Sequence, residues 1–216
     1  MGNEDYTTHA AKFNDLIVAL TNVGSKLRIL MKGRLVASGN EVDLALYTRD
    51  EVSSPTVSSL SVMLMIAAAS YHNADIGAID FPRAFLFVTL GKHRYMWLGA
   101  ILHDAPEWRR YVKTNGTMMV KVKGTLYGFA ESGKRWYDHL SAFLLESGYS
   151  RSTVDPCVFF RIDGDHRIML SLHVDDMFYI STSRSLTEDF LRKVESKFGK
   201  VKHKDGDCIH SCISRI

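Results

Sequence analysis

The chain is 216 residues long, 46% hydrophobic, 11% aromatic and 24% charged, a globular composition that excludes a disordered tail, a collagen-like repeat and a disulfide-stapled miniprotein. Twenty-seven basic against 24 acidic residues leave a formal charge of +3, too small by itself to announce a nucleic-acid binder. No apolar run reaches the roughly 18 uncharged residues of a spanning helix, so no membrane partner is expected.

Residues 12–30 carry a mildly helical pattern and lead into a basic run from Lys26 to Arg34. Ser53-Ser54-Pro55 offers helix-start chemistry. Val57, Leu60, Met63, Leu64 and Ala67 then recur at three and four, which predicts a helix with that face buried, ending near 69–72. Short strands follow at 76–81, 93–98 and 118–123, with Asn115-Gly116 marking a turn before the third. Trp136, Leu140, Phe143 and Leu144 form an amphipathic helical stripe stopped by Ser147-Gly148. Residues 157–162 and 167–173 read as strands around the turn Asp163-Gly164-Asp165. Another strand, 177–181, follows Val174-Asp175-Asp176, which makes a hairpin with carboxylates at its tip. Ser185 to Glu188 reads as a capping box opening a helix whose Leu186, Phe190, Val194 and Phe198 face inward. Lys193, Lys197, Lys200, Lys202 and Lys204 make a basic stretch that suits phosphates or a solvated face equally, and an alternating segment, 208–213, ends the chain. This order gives an α+β fold with a mostly antiparallel sheet carrying helices on one face.

Three cysteines, Cys157, Cys208 and Cys212, and an N-terminus without a basic-then-apolar leader point to a reducing intracellular compartment. His203, Cys208, His210 and Cys212 lack the spacing of a zinc knuckle, so no zinc is expected.

Two acidic features stand in apolar surroundings. Asp80 closes Ile76-Gly77-Ala78-Ile79 and precedes Phe81, while Asp175 and Asp176 lie between Met169–Val174 and Met177–Ile180. An ionised carboxylate is costly to desolvate alone, so such acids are paired, protonated or bound to a cation. Three of them converging from two strands would make an oxygen-rich cage for Mg²⁺. Taken singly, Asp175-Asp176 reads equally well as a surface turn and Asp80 as a strand-end cap.

Taken in order, the motifs resemble the reverse transcriptase of copia-type LTR retrotransposons. Asp80-Phe81-Pro82-Arg83-Ala84-Phe85-Leu86 is similar to that family's D-V-K-x-A-F-L, Leu126-Tyr127-Gly128-Phe129 through Trp136 to its L-Y-G-L…W, and His173-Val174-Asp175-Asp176 to its Y-V-D-D. Lys32-Gly33-Arg34-Leu35-Val36-Ala37 resembles K-A-R-L-V-A, Ser54-Pro55-Thr56-Val57 resembles S-P-V-V, and Asp155-Pro156-Cys157-Val158-Phe159 resembles D-x-C-V-F. The likeness runs from about residue 26 to 216.

The resemblance implies a right-hand polymerase palm with partial fingers and no thumb: an N-terminal extension at 1–25, a fingers part at 26–75, and a palm at 76–216 with inserted fingers elements at 103–135. It implies RNA-directed DNA synthesis, dNTPs being added to a primer on an RNA or DNA template. Asp80, Asp175 and Asp176 would be catalytic and would hold two Mg²⁺ ions, with Mn²⁺ as a substitute. Lys32, Arg34, Phe81, Phe85, Tyr127 and Gly128 would bind the dNTP, Phe85 as a steric gate against a ribose 2′-hydroxyl. Lys134, Arg135 and His173 would meet nucleic acid. The other partners implied are thumb, RNase H and integrase domains of a polyprotein, in a cytoplasmic particle or the nucleus. Ala130-Glu131 stands where the family commonly has Lys-Gln. Two further readings share the acids: a retroelement fragment that only binds nucleic acid or protein, and a metal-dependent nuclease or cyclase on a similar palm.

Overall fold

A computed structural model describes residues 47–82, 84–98 and 110–206. The chain divides into two compact units, one containing Thr89–Phe129, the other Asp43–Val88 together with Ala130–Ile216.

In the first unit, β2 (Thr89–Leu98) and β3 (Met118–Gly124) form an antiparallel ribbon. Met118, Val120 and Val122 alternate into its buried side. The Asn-Gly turn forms as expected: Gly116 has φ +77°, and Asn115 Oδ1 accepts from the Thr117 amide at 3.1 Å.

In the second unit, six strands make one fully antiparallel sheet in the order β4-β5-β6-β7-β1-β8. They are β1 (Asp75–Asp80), β4 (Ser150–Arg151), β5 (Val158–Asp163), β6 (His166–His173), β7 (Asp176–Ser181) and β8 (Lys202–Asp205). The helices are α1 (Arg49–Val52), α2 (Ser59–His72), α3 (Ser132–Glu146) and α4 (Arg184–Phe198). The stripes of α3 and α4 are buried as their spacing predicts: Trp136, Leu140, Phe143 and Leu144 on one, Leu186, Phe190, Val194 and Phe198 on the other. The core between helices and sheet adds Ile168, Leu170, Met177 and Tyr179. Among the described residues, no helix is long and apolar enough to cross a membrane.

Three local expectations are corrected. Helix α2 starts at Ser59, not near Pro55, because Ser58 caps it by accepting from the Ser61 amide at 3.1 Å. Its buried residues are Val62, Met65 and Ala69, whereas Leu60, Met63 and Leu64 are exposed. This helix is apolar on every side, so spacing alone could not choose the buried face. Helix α4 begins one residue earlier, after Ser183, and neither Ser183 nor a Ser185–Glu188 box caps it; Glu188 instead accepts from Arg184 at 3.1 Å. The basic stretch after α4 contains edge strand β8, and the 208–213 segment lies outside the described residues.

Candidate active site

Strand β1 runs between β7 and β8, and its last residue carries the first candidate acid. Asp80 lies directly opposite Asp176 on β7 and opposite Lys202 on β8. Strands β6 and β7 are joined through Val174-Asp175, with His173 and Asp176 paired across the hairpin. The Phe81 amide donates to the Asp175 carbonyl at 3.0 Å, so main chain next to Asp80 is bonded to main chain at Asp175. Three carboxylate-bearing residues from positions 80, 175 and 176 are thus gathered at one end of the sheet.

Lys202 Nζ donates to Asp80 Oδ2 at 2.6 Å, with the Asp80 side chain 37% exposed and that of Lys202 69%. Among the described residues, no three His, Cys, Asp or Glu side chains come together as a metal-holding cluster, so the expected three-carboxylate cage is not preformed. The donors nevertheless suit Mg²⁺, which keeps several waters and is bound through one or two carboxylates plus substrate phosphates rather than an all-protein cage.

The hairpin tip is held from below. Trp136, 1% exposed, donates its indole N–H to the Val174 carbonyl at 2.8 Å. Val174 has φ +54°, a left-handed conformation unusual for a β-branched residue.

The other expected residues fall as follows. The Phe81 ring is 1% exposed and packs edge-on against Trp136 and Phe198 at centroid distances of 5.4 and 5.5 Å. That ring belongs to the core. Phe85, 6% exposed, sits in a 3₁₀ turn, Ala84–Phe87. His173 is half-buried, its Nδ1 buried with no hydrogen-bond partner among the described residues. Lys134 pairs with Asp138 on the first turns of α3. Arg135 lies 3.4 Å from Glu131, whose carboxylate is 1% exposed, so Glu131 presents no surface charge to a template. Tyr127 and Gly128 belong to the first unit, where Gly128 has φ +94°; any side chain there would be strained. Lys32 and Arg34 lie outside the described residues.

Two residues join the site through partners that sequence spacing does not reveal: Trp136, whose stripe marks a core residue, and Lys202, one of a run of lysines, bond to positions 38 and 122 residues away.

Residues 17–206 match the family described as reverse transcriptase (RNA-dependent DNA polymerase). The chain belongs to that family. It is 30% identical over 156 residues, 72% of its length, to the retrovirus-related Pol polyprotein from transposon TNT 1-94 of Nicotiana tabacum. It is 27% identical over 176 residues, 81% of its length, to that from transposon RE1 of Arabidopsis thaliana, and 23% identical over 77% of its length to the transposon Ty1-DR4 Gag-Pol polyprotein of Saccharomyces cerevisiae. These matches place it with reverse transcriptases of copia-type retrotransposons. The matched part covers about 11% of the TNT 1-94 and RE1 polyproteins and 10% of the Ty1-DR4 one. No solved structure matches the chain.

Proposed function

We propose that this chain is the fingers-palm portion of an RNA-directed DNA polymerase that adds dNTPs to a primer on an RNA or DNA template. Residues 26–75 are assigned to the fingers and 76–216 to the palm, with inserted fingers elements at 103–135. The observation that carries the reading is the placement of Asp80 opposite Asp176, with Asp175 in the turn bonded to Phe81.

Asp80 and Asp175, supported by Asp176, would hold two divalent cations. When bound, such ions lower the pKa of an attacking hydroxyl and neutralise charge on a leaving pyrophosphate. The protein's own contribution is positional: β1 and the β6–β7 turn fix the spacing of the acids, and the half-exposed Asp80 leaves them open to substrate. The thumb, RNase H and integrase partners follow from the polyprotein relatives and are part of the proposal.

The test is Mg²⁺-dependent extension of a primed template by the purified chain, with a thumb from a related element supplied if needed. Wild type extends the primer, and Asp80→Asn and Asp175→Asn abolish extension. Wild type that extends nothing under these conditions overturns the reading.

The Lys202–Asp80 pair favours a second reading, because it supplies countercharge to Asp80 without any metal ion. A fragment that only binds nucleic acid shows salt-dependent affinity unchanged by Asp80→Asn.

A further inference from the structure

The β6–β7 turn is built against its own backbone preference. It is a two-residue hairpin loop between the paired His173 and Asp176. Positive φ at the first loop residue is a position for which glycine is the usual choice. Here that residue is Val174 at φ +54°, a strained conformation that persists only where the surroundings enforce it. Two hydrogen bonds do so. The Asp175 carbonyl accepts from the Phe81 amide at 3.0 Å, and the Val174 carbonyl accepts from Trp136 Nε1 at 2.8 Å.

Trp136 also reaches the other half of the site. Its ring lies 5.4 Å, edge-on, from Phe81, the residue after Asp80. Phe198 at 5.4 Å and Phe87 at 6.4 Å close around it, so the indole has no room to turn away. One buried side chain therefore contacts the chain beside Asp80 and bonds the main chain beside Asp175.

We propose that Trp136 is a positioning residue for the polymerase site: its indole N–H clamps the strained Val174 turn and thereby sets Asp175 and Asp176 relative to Asp80. This rests on the function proposed above, but its first consequence does not. A tryptophan that merely filled the core would affect the whole fold when altered, whereas a clamp affects the turn.

Trp136→Phe keeps an aromatic ring in the core and removes the donor. Hydrogen exchange read by mass spectrometry should show amides of the 173–177 turn exchanging about fivefold or more faster, with α4 peptides unchanged. Primer extension should show kcat falling roughly 10- to 100-fold through misplacement of the acids, with KM for dNTP within about twofold. Unchanged exchange at the turn, or acceleration spread evenly over both helices and sheet, overturns the clamp. Should the variant fold poorly, NMR of the wild-type chain decides: the Trp136 indole N–H must be strongly protected from solvent exchange, and a rapidly exchanging one overturns the proposal. A wild-type chain without polymerase activity sinks the functional reading, while the exchange data still decide whether the clamp exists.

Discussion

Lys202 holds Asp80 by a 2.6 Å hydrogen-bonded ion pair across two adjacent strands, β8 and β1. The same carboxylate is the one proposed above as a cation ligand, so ammonium and divalent ion would compete for it. At about 4 Å a single charge is worth about 1 kcal/mol in water, and salt screens it. Lys202→Met should therefore tighten Mn²⁺ binding about fivefold at low ionic strength, measured by paramagnetic titration without substrate. The fold should lose less than about 1 kcal/mol, as for other exposed pairs. Weaker Mn²⁺ binding in the variant would show that Lys202 assists the site instead.

Gly77 faces Tyr179 across β1 and β7. A Cβ at Gly77 would lie 2.3 Å from the Tyr179 ring, which is itself 1% exposed and tied by its hydroxyl to His203 at 2.6 Å and Asp205 at 3.3 Å. The ring has nowhere to go without breaking the bonds that join β7 to β8. Gly77→Ala should cost on the order of 3 kcal/mol, and Tyr179→Phe only about 1 kcal/mol, in urea titrations. A Gly77→Ala protein as stable as wild type would mean that the ring shifts freely.

Much of this architecture was readable because burial and period agree. The flanking strands of the acids are short apolar runs, 76–79 and 177–180, and a buried strand reads that way. Gly116 and Gly164 mark the expected turns, and both have positive φ. What escaped the sequence depended on distant partners. Strand β8, Lys-His-Lys-Asp, reads as loop because edge strands carry charge to discourage pairing. Helix α2 is apolar all round, so its buried face is chosen by neighbours, not by period. The ring of Phe81 is drawn inward by Trp136 and Phe198, partners that no local spacing names. Glu131 resembled a surface charge, and burial next to Arg135 makes it structural.

Cys157 is fully buried, and that burial, with the Asp155 carboxylate nearby, pushes its thiol up to about 12. The thiolate is the reactive form. Cys157 should resist alkylation by iodoacetamide at pH 8 in the native protein and react promptly in urea, as read by peptide mass spectrometry. Rapid native labelling at that peptide would show that the segment before β5 opens locally.

Asp155 gives a pH-dependent prediction with a definite sign. Burial works to raise its pKa, but hydrogen bonds from Ser61 Oγ at 2.6 Å and from the Ser58 and Cys157 amides at 3.0 and 2.9 Å outweigh it and hold the carboxyl below its ordinary value. A carboxyl depressed in the folded state stabilises fully above its unfolded value, near 3.8, and that contribution fades as pH falls through the lower folded value. Asp155 also ties the start of α2 to the loop before β5, so its loss is felt at both. Asp155→Asn should cost on the order of 2 kcal/mol at pH 7. The gap between variant and wild type in urea titrations should stay near its full size down to about pH 5 and narrow as pH falls below about 4. A gap that is constant from pH 7 to pH 3 would show that the ionised carboxylate is not what stabilises this junction.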